Sequence, residues 1–131
     1  MSIRIERLDH VQLALPRGGE DRARAFWVGI LGMSELPKPP ELAARGGCWF
    51  ASASGAEVHV GVEEPFAPAR KAHPGLTVIG LDDLAATLGE HGIDARWSQE
   101  IPGVRRFHAD DPFGNRIEFI DATATGHGSV S

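Results

Sequence analysis

The 131-residue chain is 42% hydrophobic and 24% charged, with a net charge of −5 from 13 basic and 18 acidic side chains. That is enough for one domain with a real core, and the composition is that of an ordinary globular protein. No block of Lys or Arg forms a stripe able to track phosphates, so nucleic acid is excluded as an expected partner. Cys48 is the only cysteine, which rules out an intrachain disulfide and a thiolate metal cage and suits a reducing compartment. The opening run Ser2-Ile3-Arg4-Ile5-Glu6-Arg7 is polar and charged, with neither a secretory h-region nor a membrane-spanning stretch; no membrane partner and a cytoplasmic location are expected.

The first predicted element is a strand from Leu8 to Leu15, with Val11, Leu13 and Leu15 on one face and His10, Gln12 and Ala14 on the other. After a turn at Pro16 to Gly19, Ala23, Phe26, Trp27, Ile30 and Leu31 recur at helical spacing. Glu20 and Asp21 suit the positive end of that helix and Gly32 its left-handed exit. Pro37, Pro39 and Pro40 predict a loop, and short strands are expected around Cys48 to Ala53 and Ala56 to Val60.

A connector from Glu63 to Lys71 leads to a strand near Leu76 to Ile79, then a helix with Asp82 as its expected N-cap and Gly92 as its stop. Ile93 to Trp97 and Val104 to Ala109 read as strands, and the Asp111-Pro112-Phe113-Gly114-Asn115 cluster as the turn into a last strand, Arg116 to Ile120. The expectation is an α+β fold: two βαβββ modules forming a curved mixed sheet around a metal-binding cleft. One domain over residues 1–121 would hold module one at about 6–62 and module two at about 71–121, with a flexible tail at 122–131.

The order strand, helix, strands occurs twice, and a ligand-type side chain stands at matching places in each copy. His10 matches His73 and His59 matches Glu118, at nearly equal offsets of 63 residues from 10 to 73 and 59 residues from 59 to 118. Each lies on the strand phase opposite the core-forming Val58, Val60, Leu76, Val78, Ile117 and Phe119. Three imidazoles and a carboxylate without a partner would cost several kcal/mol if buried, on the order quoted for unpaired polar groups, and a shared cation removes that cost. The set suits Zn, Ni, Fe, Mn or Co, and in an octahedral shell it leaves two positions for a pair of substrate oxygens. Glu57 competes with His59, two residues away on the same face, while His91, His108 and His127 have weaker claims. Arg105 and Arg106 are candidates to clamp an anionic substrate group, with at least one expected to be solvated. Trp49, Phe50 and Phe107 are candidates for an apolar wall or for core, and Cys48 reads as structural.

Leu8-Asp9-His10-Val11, Ala25-Phe26-Trp27 with Leu31-Gly32-Met33, Glu57-Val58-His59-Val60, Ala72-His73 and above all Asp111 to Glu118 give the chain its likeness to a known family. It resembles the vicinal oxygen chelate superfamily of glyoxalases, fosfomycin- and bleomycin-resistance proteins and extradiol dioxygenases. The resemblance implies that His10, His59, His73 and Glu118 are the metal positions, and that a small substrate with adjacent oxygens meets a glyoxalase-like, metal-dependent lyase or isomerase. Glu118 or His59 would then serve as catalytic base. An extradiol-type dioxygenase and a metal-free drug-binding resistance protein are the alternatives. A homodimer is expected, with the four ligands drawn either from one chain or as His10 and His59 from one and His73 and Glu118 from its mate. Pro74, directly after His73, lacks the backbone donor that a strand interior uses.

Overall fold

The computed structural model describes residues 2–123. Two four-stranded mixed sheets form from the two halves of the chain, in the spatial orders β1-β4-β3-β2 and β5-β8-β7-β6. The strands are β1 (Val11–Leu15), β2 (Ser34–Leu36), β3 (Cys48–Ala51) and β4 (Glu57–Val62), then β5 (Gly75–Val78), β6 (Arg96–Ser98), β7 (Arg106–Asp110) and β8 (Arg116–Asp121). In each half the first strand pairs parallel with the last and the remaining neighbours are antiparallel. The duplicated α+β architecture expected from the sequence is therefore present. The expectation for the tail falls from residue 124 onward outside the described residues.

Alternation explains which face each sheet buries. On β4 and β3, Val58, Val60, Cys48 and Phe50 are buried in the core; on β7 and β8, Phe107, Ala109, Ile117 and Phe119 are. Helix α1 (Glu20–Arg24) continues into a π-helical stretch, Ala25–Ile30, closed by the bond from Leu31 N–H to the Phe26 carbonyl. The wider turn puts Phe26 and Trp27 together in the core, edge to face at 5.1 Å. Helix α3 (Leu81–Glu90) buries Leu81 and Leu88 against the second sheet.

Several boundaries differ from expectation for local reasons. The first strand begins at Val11, where its parallel pairing with β4 begins at Val58, and Leu8 is left exposed. The proline segment is not all loop: a short helix α2 (Pro40–Ala43) starts on Pro40, whose missing N–H costs nothing in a first turn. Gly80, at φ 87°, precedes the first residue of α3, so Asp82 lies inside the first turn and pairs with Arg105 instead of capping. The second strand of the second half shrinks to Arg96–Ser98, while Ile93 and Ala95 pack on the core without pairing.

The halves are joined at the turn between β7 and β8. Asn115 is fully buried; its amide donates to the Ala14 carbonyl on β1 at 2.8 Å and to Asp111 at 2.9 Å, while its oxygen accepts from Ala69 N–H at 2.8 Å. Gly19 leaves room for the Phe113 ring, which a Cβ there would meet at 2.9 Å. No helix among the described residues is long and apolar enough to cross a membrane.

Candidate metal centre

The polar phase of each sheet carries donor side chains, and the chain divides the four expected ligands into two pairs. In the first half, His10 stands just before β1 and His59 lies on β4; their rings stack with centroids 4.1 Å apart and planes 15° from parallel. Trp49, opposite His59 in the β3–β4 register, stacks on its other face at 4.5 Å. His59 is 7% exposed, and its Nε2 is buried with no hydrogen-bond partner among the described residues. Glu57 Oε1 stands 3.6 Å from that nitrogen, too far for a bond, so the competition between Glu57 and His59 is a matter of two donors on one face. Burial, and then the neighbouring His10, hold His59 below the usual histidine pKa, which favours a neutral ring with a free lone pair.

These residues line a cavity of about 590 Å³ walled, among the described residues, by the first half. Gln12, Lys38 and Arg45 form its other end. Gly61 makes room for Gln12, whose side chain a Cβ would meet at 2.9 Å. Gly47, at φ +87°, comes so close to the β4 backbone that a Cβ would sit 2.2 Å from the Val60 carbonyl oxygen. Its N–H donates to Glu20 at 2.8 Å, and Lys38 donates to the neighbouring Gly46 carbonyl.

In the second half, His73 Nε2 lies 3.1 Å from Glu118 Oε1, and Nδ1 of the same ring is 2.9 Å from the Lys71 carbonyl. Pro74 falls just ahead of β5, where its carbonyl accepts from Glu118 N–H at 3.0 Å; its missing donor is not needed there. Gly75 pairs with Glu118, and a Cβ there would stand 3.7 Å from Glu118 Oε1, in ordinary contact. Arg106 takes the other carboxylate oxygen at 2.8 Å and is itself nearly buried. Burial pushes the Glu118 carboxyl upward, but the hydrogen bonds from Arg106 and His73 outweigh it and hold the group below the ordinary glutamate value.

His108 is the residue that sequence reasoning undervalued. It is 7% exposed and lies opposite Glu118 in the β7–β8 register, with its ring edge-on to His73 at 5.3 Å. Ligand-type atoms of His73, His108 and Glu118 all stand within 4.8 Å of one another. The signal was available: counting outward from the Asp111 to Asn115 turn pairs Asp110 with Arg116 and hence His108 with Glu118. Among the described residues, neither His10 nor His59 joins that group.

The remaining candidates separate cleanly. Arg105 faces away, forked onto Asp82 at 2.9 and 3.1 Å and lying over the Trp97 ring. Phe50 and Phe107 are core, whereas Trp49 is a wall of the cavity. Burial pushes the Cys48 thiol up to about 11, which leaves it protonated and inert. His91 is exposed at the end of α3, and His127 falls outside the described residues.

The donor set fits a divalent transition metal: imidazoles, of which His59 is held below the usual histidine value and has a buried nitrogen without a partner among the described residues, and a carboxylate held below the ordinary glutamate value. A family model for the Glyoxalase/Bleomycin resistance protein/Dioxygenase superfamily matches residues 7–119. The chain belongs to this superfamily. A solved structure assigned to the glyoxalase family, from Bacillus anthracis, is 47% identical, with 92% of this chain and 98% of that one covered at a TM-score of 0.87. The fold is shared more distantly with a variant of the fosfomycin resistance protein FosX from Listeria monocytogenes, complexed with Mn(II) and 1S,2S-dihydroxypropylphosphonic acid. That pair is 16% identical, covers 92% and 95% of the chains and has a TM-score of 0.73. An antibiotic binding protein from Streptomyces sp. CB03234 is 20% identical, with 92% and 98% covered and a TM-score of 0.69. Among curated proteins none matches significantly.

Proposed function

We propose that this superfamily member is a metal-dependent, glyoxalase-like lyase or isomerase acting on a small substrate with adjacent oxygen atoms. There would be one divalent transition ion, Zn, Ni, Fe, Mn or Co, for each domain of residues 1–121, with His10, His59, His73 and Glu118 as its ligands. The observation that carries this reading is the buried, partnerless Nε2 of His59 on the same sheet face as His10, matched in the other half by the His73–Glu118 pair. A metal in such a set acts as a Lewis acid on a substrate oxygen and stabilises the oxyanion that develops.

The chain's own residues supply the rest. The two halves of the ligand set stand apart within one chain, and the cavity at His10 and His59 has no wall from the second half. A homodimer therefore brings the first half of one protomer over the second half of its partner. Trp49 offers a flat apolar wall beside His59, and Gln12, Lys38 and Arg45 present donors to the remote end of a bound molecule. Glu118, ionised and anchored by Arg106, is suited to take a proton from a carbon next to a carbonyl; His59, neutral, is the second candidate base.

The test is elemental analysis of protein purified without chelator, followed by a screen of apo and reconstituted protein against a hemithioacetal, a 2-keto thioester, a catechol and a phosphonate. Turnover or binding that depends on metal supports the reading. Identical behaviour of apo and reconstituted protein with all four overturns it, and ligand binding without metal would place the chain with the drug-binding members.

A further inference from the structure

We propose that His108 is itself a metal ligand, so that the second half of the chain binds a divalent transition ion alone, through His73, His108 and Glu118, before or without the His10–His59 pair. The inference shares with the proposed function only the premise that the chain binds such a metal.

Three observations on different elements converge. The register sets His108 on β7 directly opposite Glu118 on β8, where facing side chains lie about 4.5–5.5 Å apart at Cβ. His73, arriving ahead of β5, closes the third side, and its Nε2 already meets Glu118. The three ligand-type atoms then stand within 4.8 Å of one another, while ligands about 2.1 Å from one ion are separated by at most about 4.2 Å. Only small side-chain rotations separate the observed arrangement from coordination.

Surroundings favour the same outcome. His108 is on the buried part of the strand, flanked in sequence by the core residues Phe107 and Ala109, so its backbone is fixed. Arg106 occupies Oε2 of Glu118 and leaves Oε1 directed at His73. By contrast His10 is 42% exposed at its side chain and precedes the first strand.

The test uses full-length protein and Co(II) titration, read by absorption and by calorimetry. The His10→Ala/His59→Ala double variant is expected to keep one equivalent of Co(II) per chain, and adding His108→Ala to weaken binding by more than about 100-fold, since even loss of outer-shell partners costs about 10–100-fold. Equal affinity of the double and triple variants overturns the inference, as does a double variant that no longer binds while wild type does. Wild type that binds nothing overturns the proposed function together with it. A fold-independent check is pulsed EPR of the Cu(II)-loaded double variant: two coordinated imidazoles are expected, and one overturns the role of His108.

Discussion

Arg106 donates to Glu118 Oε2 at 2.8 Å while His73 meets Oε1 of the same carboxylate at 3.1 Å. One side chain is thus held by a fixed cation on one oxygen, leaving the other for the site. Arg106 also reaches Ser98 at 3.2 Å, so its own orientation is tied to β6. Replacing it with Met keeps the apolar stem and removes the anchor. Metal affinity of Arg106→Met is expected to fall about 10–100-fold, the scale of outer-shell partners, with stability reduced by about 1–3 kcal/mol as Glu118 loses a bond. Chelator competition and denaturant melts measure the two; unchanged affinity would show that Arg106 does not orient the carboxylate.

A shared site has a genetic signature. In a mixture of His10→Ala and Glu118→Ala chains, the mixed dimer contains one site that takes His10 from the second chain and Glu118 from the first, both intact. Its other site carries both lesions. Activity is expected to return to about half of wild type per mixed dimer when ligands come from two chains; metal binding is no readout here, because the His10→Ala chain is expected to hold its ion through His73, His108 and Glu118. Sites completed within one chain give no recovery. Sedimentation showing only monomer at micromolar concentration would refute the dimer.

Asn115 spans the two halves with three side-chain bonds, to Ala14, Asp111 and Ala69. Truncating it leaves buried groups unpaired at about 1–3 kcal/mol each, discounted because the site can relax. Asn115→Ala should cost about 2–4 kcal/mol in a denaturant titration. A loss below about 1 kcal/mol would mean that the halves are held together by apolar packing alone.

Glu20 accepts from Gly47 N–H at 2.8 Å, and that backbone bond is the main reason its carboxyl lies below the ordinary value of 4.5. The unfolded chain, with the higher pKa, takes up the proton first as pH falls. The stabilisation is therefore complete above about 4.5 and is lost as pH drops through the lower folded value. Glu20→Gln should flatten the acid limb of the stability profile in that window and leave neutral pH less affected. A limb identical to wild type would remove Glu20 from the account.

The sequence carried the architecture because duplication wrote each element twice: the Val58-His59-Val60 and Ile117-Glu118-Phe119 alternations state strand, buried face and candidate ligand at once. It carried the superfamily through the run from Asp111 to Glu118, a turn whose Asn115 is fixed by packing. What it carried less plainly was whatever depends on register between strands, legible for β7 and β8 only by counting outward from the Asp111 to Asn115 turn. His108 looks like a rim residue until it is set across from Glu118, and Arg106 looks like an anion clamp until its partner is known to be Glu118. Strand ends failed for a related reason: whether Leu8 to His10 belong to β1 is decided by where its pairing with β4 begins, at Val11 and Val58. The separation of the ligand pairs is likewise a property of how two sheets are docked.

Every strand pairing closes within its own half, β1 with β4 and β5 with β8. Closure entropy grows only logarithmically with loop length, so each parallel pairing, the longest loop in its half, costs little more than the local hairpins beside it. Neither sheet has to wait for the other to be drawn up. The chain can collapse as two nascent units whose union comes late, when the Asn115 side chain finds the Ala14 carbonyl. Before that union each unit exposes the open edge of its first strand, which makes the interval between collapse and docking the stage at which two copies could trade halves.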